Sequence, residues 1–339
     1  MGRIVWIDAT KGYAISLVVF GHVLGGAMAR GWLSQTDTPK LIYDYIYSFH
    51  MPLFFLISGA LGINGIRTDP GRAMLSRVGS IAWPYVLWGI IAIFVYPLVW
   101  QFRLNATPGE LVFYEPFKGL LLGQSSWFLW TLFVAHCVLI VALQIMPIQM
   151  IFVLSVIVFL VVDNKDLGTL SSVIRFMPFM ALGAIIGRRI EMITCGSTAT
   201  SVAVGALLFG ALFSLVFLRI EEIPIISLCC GIIGSVASLI IIRSLGSTWP
   251  NLLIANCGAA SLVVFLLHPY FQGMARELVF RAMGPAILWQ LAIPTVAGVV
   301  GPTLIWLGAE RLGLQWLLRL DLSGWFRKAS ELKESRSTS

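Results

Sequence analysis

Long apolar runs separated by short polar connections fill the chain from its first turns to about residue 308. A bilayer core about 30 Å thick needs about 20 apolar residues per helix, with a range of about 17–25. The pattern therefore predicts ten membrane helices. They are 12–29, 41–63, 80–100, 119–143, 147–162, 171–187, 199–218, 223–243, 257–274 and 286–308. No connection between them is long enough for a soluble domain, so we expect an all-α, polytopic membrane protein.

Composition supports this interpretation. Of the 339 residues, 58% are hydrophobic and 12% are charged, and the mean hydropathy is +0.89. A soluble domain carries about 25% charged residues, and a chain of this length cannot bury so much apolar surface in its own core. An ordinary cytosolic enzyme, a disordered regulator and a secreted disulfide scaffold are excluded. The five cysteines show neither a CxxC pair nor Cys/His ligand spacing, so we expect no metal site.

Charge predicts an orientation. The net charge of +7 comes from Lys and Arg that stand singly between apolar runs, without the basic stripe typical of nucleic-acid binding. With the N-terminus inside, most of them fall on the cytoplasmic side, which predicts that both termini are cytoplasmic. Residues 311–327 alternate Leu and Trp with Arg, as an interfacial helix on anionic lipid does. We therefore divide the chain into a membrane domain at 1–310 and a cytoplasmic tail at 311–339.

The first apolar run also has features of a cleavable signal peptide. It contains His22 among Gly21, Gly25 and Gly26, however, and a signal core has no use for a histidine. We expect this run to remain as the first membrane helix. Gly21 and Gly25 have the GxxxG spacing that lets another helix approach the backbone beside His22.

The first helix carries the strongest candidates for chemistry. Ionisable residues inside a membrane cost about 2.5–3.5 kcal/mol each, so each one needs a reason. Eleven helical steps bring Lys11 and His22 within roughly 20° of one face and about 16 Å apart along the axis. Asp8 and Lys11 are (i, i+3) neighbours that can pair at the cytoplasmic mouth. A structural alternative stays open, in which His22 makes an interhelical hydrogen bond and Lys11 snorkels.

The other three histidines differ in their sequence surroundings. His50 stands two residues before Pro52, where irregular backbone can create a cavity, although an interfacial position fits His50 equally well. His268 precedes Pro269 in an analogous arrangement. His136 lies in the middle of an apolar run beside Cys137, and we expect it to be structural.

Two arginines lie near the starts of predicted helices, Arg77 before the third and Arg175 in the sixth. The guanidinium group suits bidentate capture of a phosphate or carboxylate, whereas a lone arginine at a membrane edge also serves as a topology anchor. The chain lacks the motifs of P-loop, dinucleotide-binding, hydrolase-elbow and zincin proteins, so it does not support those activities.

Several blocks together resemble the membrane-bound acyltransferase-3 family, which O-acylates surface sugars. The first is DATKG at 8–12 with VVFGH at 18–22, in which a basic residue stands eleven positions before a functional histidine. The later blocks follow in the family's order. They are HMPLFFLISG at 50–59, Arg77 to Tyr85, WFL at 127–129, FMPFMALG at 176–183 and SLVVFLLHP at 261–269. With lysine rather than arginine at position 11, the chain resembles the fucose-acetylase-like branch of this family.

The resemblance implies a chemistry and roles for these residues. An acyl group, most simply acetyl, would pass from cytosolic acyl-CoA to a hydroxyl of a surface polysaccharide or its lipid-linked precursor. His22 would act as a general base or carry the acyl group transiently, and Lys11 would meet the CoA phosphates with Asp8 holding its side chain. The remaining candidates would bind acyl-CoA or line the acceptor cavity. They are Arg77, His50, Trp127, Arg175 and His268.

The same resemblance implies acyl-CoA as a co-substrate, no permanently bound cofactor, and a bacterial inner membrane with lipid around the helices. The oligomeric state stays open. Ten spans with scattered intramembrane charge also fit a transporter or flippase for a lipid-linked sugar or small anion. The two functions differ in whether the substrate changes in mass and whether activity needs the histidines.

Overall fold

Helices account for the architecture of this chain. The computed structural model describes residues 4–63, 66–101, 126–162, 167–193, 196–220, 223–246, 248–318 and 320. The α-helices of this part are α1 (Val5–Ala29), α2 (Thr38–Tyr47), α3 (His50–Gly62), α4 (Pro70–Arg77), α5 (Trp83–Gln101), α6 (Trp127–Ile145), α7 (Ile148–Val161), α8 (Leu170–Ile186), α9 (Thr198–Phe217), α10 (Pro224–Ser244), α11 (Trp249–Ala259), α12 (Ser261–Met283) and α13 (Ile287–Arg311). A π-helical turn at Val78–Ala82 joins α4 to α5, and 3-10 turns follow α8 and α13 at Gly187–Met192 and Leu314–Leu317. None of the described residues lies in a β-strand, which confirms the all-α prediction.

The helices are those of a polytopic membrane protein. Within the described residues, seven segments are long and apolar enough to cross a membrane, and α11 with α12 would be an eighth. The predicted windows 147–162 and 171–187 correspond to the shorter apolar helices α7 and α8. Residues 119–125 of the fourth predicted window lie outside the described part. Ten spans and two cytoplasmic termini stay predictions.

A helix break precedes each of the two histidine–proline motifs. The chain turns at Ser48 and Phe49, and Pro52 then occupies the third position of α3, where a missing N–H leaves no intrahelical bond unmade. The axes of α11 and α12 differ by 81° across Ala260, whereas α12 runs through Pro269 without ending. The irregular backbone expected near these motifs thus lies on their N-terminal side.

The chain forms two compact units, one from 1–61 with 182–311 and the other from 62–181 with 312–339. Close helix contacts organise the first unit. Gly12 of α1 lies against Gly258 of α11, with 2.9 Å between an ideal Cβ on Gly12 and the Gly258 nitrogen. Since any larger side chain would meet backbone there, these glycines allow the two helices to touch. A cluster of buried apolar residues that includes Trp6, Leu56 and Leu239 continues the core.

In the second unit, two tryptophan side chains of the α5 helix donate hydrogen bonds to backbone carbonyls of the C-terminal segment. Trp83 Nε1 donates to the Trp316 carbonyl at 2.8 Å and Trp88 Nε1 donates to the Leu317 carbonyl at 3.1 Å. The 3-10 turn at Leu314–Leu317 lies in the first part of the predicted interfacial helix over 311–327. Arg319 and residues 321–339 lie outside the described part, and contact with lipid stays a prediction.

Candidate active site

An ion pair joins the first two turns of α1. Lys11 Nζ lies 3.4 Å from Asp8 Oδ1, and the two side chains are 30% and 14% exposed. A carboxylate in a helix's first turn also interacts favourably with the helix dipole. Arg243, in the last turn of α10, places its guanidinium carbon 4.9 Å from the centre of the Trp6 ring. This end of α1 therefore carries Lys11 and, close to Trp6, a second cation that the sequence reasoning missed.

Farther along α1, two imidazoles meet. The ring centres of His22 and His268 lie 5.1 Å apart, and the ring planes are nearly perpendicular at 83°. His22 is exposed, whereas His268 is 2% exposed. The first unit therefore pairs an accessible imidazole with a buried one. Both histidines were predicted as candidates from the sequence, but their contact joins two helices that are distant in the chain and was not predicted.

The buried face of α12 continues from His268 in both directions. His268, Gln272 and Arg276 recur every fourth residue, so they share one face of the helix. Gly298 of α13 packs on this face, because a Cβ there would lie 3.6 Å from the Cβ atoms of Gln272 and His268. Two atoms of the strip, His268 Nε2 and Gln272 Oε1, are buried and accept no hydrogen bond. The strip thus presents two unsatisfied acceptors close to His22.

Arg276 lies against α1 one helical turn beyond His22. Its Nη2 donates to the Val23 carbonyl at 3.2 Å, and its Nη1 would lie 2.5 Å from a Cβ on Gly26. The absence of a side chain at Gly26 is what allows the guanidinium to lie flat on this part of α1. Arg276 is 8% exposed, so a positive charge is held within the protein near the imidazole pair. Arg276 was not among the predicted site residues, although it stands eight residues after His268, a spacing that puts both on one helix face.

The other glycines of α1 receive aromatic rings from α2. A Cβ on Gly21 would lie 2.8 Å from the Tyr47 ring, and one on Gly25 would lie 3.0 Å from the Tyr43 ring. The GxxxG spacing therefore does admit a neighbouring helix, through its tyrosines. Tyr47 also packs edge-on against the buried His50 at 4.8 Å, so His50 is joined to the Gly21 region of α1 through one aromatic ring.

The second unit brings Arg77 together with His136. Both lie over Gly62, since a Cβ there would be 3.0 Å from Arg77 Nη2 and 3.2 Å from His136 Nε2. Arg77 Nη2 also approaches the Gly62 carbonyl at 3.4 Å. His136 is fully buried, and its Nδ1 lies 2.8 Å from the Leu132 carbonyl. His136, expected to be structural, is thus the neighbour of a candidate anion-binding arginine.

Trp127 and Arg175 meet through a third residue. The Trp127 ring stacks on Phe176 with 6.0 Å between centres, and the guanidinium carbon of Arg175 lies 5.8 Å from the centre of the same ring. Arg175 is exposed. The second unit therefore contains three predicted binding residues, two of which share an aromatic surface.

In the described part of the chain, no group of three or more His, Cys, Asp or Glu residues is placed to hold a metal ion. The candidate chemistry therefore rests on imidazole, guanidinium, ammonium and carboxylate groups.

Comparison with known proteins identifies the family. The model of the acyltransferase domain, type 3, matches residues 4–308. Nodulation protein NolL of Sinorhizobium fredii is 29% identical over 198 residues, which cover 56% of this chain and 50% of the relative. Nodulation protein NolL of Mesorhizobium japonicum is 32% identical over 101 residues, or 27% of this chain and 26% of the relative. The chain thus matches half or less of the length of these curated relatives. No solved structure matches it.

Proposed function

Because the chain belongs to the acyltransferase-3 family, whose domain matches residues 4–308, we propose that it is a membrane O-acyltransferase. It takes a small acyl group, most simply acetyl, from acyl-CoA and transfers it to a hydroxyl of a surface polysaccharide or a lipid-linked precursor. The observation that carries the proposal is the contact of the accessible His22 with the buried His268. An alcohol is a weak nucleophile at neutral pH, and a neighbouring imidazole is the group proteins use most often to activate it.

The reaction has two routes that both use His22. In the direct route, His22 takes the hydroxyl proton as the oxygen attacks the thioester carbon, the C–S bond breaks, and the CoA thiolate recovers that proton from His22. In the covalent route, a ring nitrogen of His22 attacks first and expels CoA as the thiolate. The hydroxyl oxygen then attacks the acyl carbon, the bond to the histidine breaks, and the hydroxyl proton ends on the CoA sulfur. Both routes yield one ester and one CoA thiol.

Cationic residues supply the donor's binding groups in this proposal. Lys11, oriented by Asp8 at 3.4 Å, is suited to the phosphates of CoA at the start of α1. Arg243 contacts Trp6 at the same end of the helix, and it adds positive charge for the same phosphates. Arg77 is a second candidate for a phosphate contact because guanidinium groups bind phosphate through paired N–H donors.

For the acceptor we propose binding groups from both units, and in the first unit they lie beyond His22 on the side away from Lys11. Gln272 Oε1 is buried without a donor, and a sugar hydroxyl is such a donor. His50, Trp127 and Arg175 remain proposed lining residues. The two tyrosines on Gly21 and Gly25 stack on each other with 3.9 Å between ring centres, and they add aromatic surface beside this part of α1. We place the protein in a bacterial inner membrane, where cytosolic acyl-CoA reaches one side of the helices.

Labelled acetyl-CoA tests the proposal directly. Membranes containing wild type, His22→Ala or Met274→Ala are incubated with radiolabelled acetyl-CoA, and label is measured on protein and on extracted glycans. Met274 lies on α12 with 61% exposure, so its variant controls for substitution in the same region. We expect glycan label in wild type and Met274→Ala, and its loss in His22→Ala by at least about 10²-fold.

Two outcomes contradict the proposal. Glycan label retained in a correctly inserted His22→Ala variant removes His22 from the chemistry. Movement of an unmodified substrate without acyl-CoA, together with no acyl transfer from acetyl-CoA or succinyl-CoA, assigns the chain to the transporter class instead.

A further inference from the structure

Three of the four histidines have Nδ1 fixed by the backbone carbonyl four residues earlier in the chain. Nδ1 lies 2.7 Å from the Ile46 carbonyl in His50, 2.8 Å from the Leu132 carbonyl in His136 and 2.9 Å from the Val264 carbonyl in His268. A carbonyl oxygen only accepts hydrogen bonds, so Nδ1 carries the hydrogen in each neutral ring. Nε2 is then the nitrogen with the lone pair. His268 is held twice, because Nδ1 also lies 2.8 Å from the Phe265 carbonyl.

His22 differs from these three residues. It makes no hydrogen bond to any described residue, and it is exposed. Nothing in the described part of the chain therefore determines which of its two ring nitrogens carries the hydrogen. A histidine that activates a nucleophile or attacks a thioester needs its lone pair on the nitrogen that faces the substrate, and this requires a second group that binds the other nitrogen.

His268 has the properties of that second group. Its Nε2 is buried without a hydrogen-bond donor, whereas buried polar atoms in proteins almost always have a partner. Its ring centre lies 5.1 Å from that of His22 at an angle of 83°, so a rotation of the His22 side chain brings a ring N–H towards this lone pair. Hydrogen bonds at active sites often shorten only when substrate is bound.

We propose that His268 is the positioning residue for His22. Its Nε2 accepts a hydrogen bond from one ring N–H of His22, and this leaves the other His22 nitrogen as the lone-pair atom that meets the substrate. The same bond stabilises the positive charge that His22 acquires in either route. This inference rests on the proposed acyl transfer and adds the group that orients its central histidine.

Substitutions that separate shape from acceptor capacity test the inference. His268→Phe keeps a ring of similar size without an acceptor, His268→Gln offers an amide oxygen to His22, and His268→Ala leaves a space that added imidazole can enter. The rate of acetyl transfer to glycan is measured against acetyl-CoA concentration for each variant and for Met274→Ala.

We expect His268→Phe to lower kcat about 10²- to 10⁴-fold, as loss of an orienting group does, with KM for acetyl-CoA changed by less than about threefold. His268→Gln recovers at least about tenfold over His268→Phe, and imidazole raises the rate of His268→Ala but not of His268→Phe. A purely structural role predicts neither recovery. His268→Phe with more than one third of the wild-type rate, or His268→Gln no better than His268→Phe, overturns the inference.

A spectroscopic measurement requires no folded His268 variant. Wild-type membranes labelled with ¹⁵N-histidine are studied by solid-state NMR with coenzyme A added, and the His22 signals are assigned by their loss in His22→Gln. A single tautomer of His22 with a hydrogen-bonded N–H supports the inference, and a mixture of tautomers overturns it. Failure of the acyltransferase proposal is recognised separately, because either the wild type then transfers no acyl group or His22→Ala retains the transfer, whatever the His268 variants do.

Discussion

Gly26 in the first unit and Gly62 in the second each lie beneath the guanidinium of an arginine, yet the histidines of the two clusters have different surroundings. A Cβ on Gly26 would meet Arg276, and a Cβ on Gly62 would meet both Arg77 and His136. His22, four residues before Gly26, is exposed, whereas His136 is completely buried. The same packing device thus accompanies an accessible imidazole in one unit and an enclosed one in the other.

This difference indicates different tasks. An accessible imidazole beside a buried acceptor can exchange a proton with a substrate, and the His22–His268 contact has that form. A guanidinium beside an enclosed imidazole offers charge and N–H donors, which suit the binding of an anion. We therefore expect changes in the first cluster to act on kcat and changes in the second cluster to act on KM for acyl-CoA.

After the His268 variants, the largest effect that tests this comparison is expected from Arg77→Ala. Hydrogen bonds to charged groups contribute about 1.5–3 kcal/mol, so KM for acyl-CoA rises about 10- to 100-fold while kcat changes less than about threefold. Steady-state transfer of label measures both. Arg72→Ala on the exposed side of α4 is the matched control and leaves both constants unchanged. A fall in kcat with an unchanged KM in Arg77→Ala would remove the distinction between the clusters.

Two glycine substitutions compare the clusters more finely. Gly26→Ala displaces Arg276, because the new Cβ would lie 2.5 Å from Nη1, and we expect a kcat about 3- to 30-fold lower from misplacement near His22. Gly62→Ala moves Arg77 and His136 by smaller distances and raises KM about threefold. Gly273→Ala on α12 meets nothing within 4 Å, so it retains activity. Equal effects of Gly26→Ala and Gly62→Ala on kcat would contradict the assignment.

The smallest effect is expected from Asp8→Asn at the N-terminal end of α1. Asp8→Asn removes the partner of Lys11, but a partly exposed ion pair contributes only about 0–1 kcal/mol. KM for acyl-CoA therefore changes less than about fivefold, and the difference shrinks at high salt because exposed charges are screened. Measurements at low and high ionic strength check this. If Asp8→Asn changed kcat more than His268→Phe does, the reaction would have to be assigned to the Asp8 end of α1 instead of His22.

The helices were predictable because each depends on local composition. Apolar runs of sufficient length predict the segments around α1, α9, α10 and α13 whatever lies beside them. The (i, i+3) spacing of Asp8 and Lys11 predicts their pairing for the same reason, and the distance of 3.4 Å confirms it. The breaks were less predictable. They fall at Ser48–Phe49 and Ala260, before the prolines that suggested them.

Contacts between helices were beyond the sequence argument. Arg276 and His136 received no functional role, because their importance comes from the glycines of other helices on which they lie. The approach of Trp127 to Arg175 likewise depends on the ring of Phe176 between them. Spacing along one helix shows which residues share a face, but the neighbour of that face depends on packing of the whole unit.

The sequence by itself therefore determined the class of protein, the positions of most helices, the family and the selection of His22, Lys11 and His268, because hydrophobicity, spacing and motif order are properties of the chain alone. Only the tertiary structure decided that His268 contacts His22 with its Nε2 lone pair unsatisfied, and that Arg276 lies on Gly26. The reason is physical. A helix determines where its side chains point, and packing of several helices determines which groups those side chains meet.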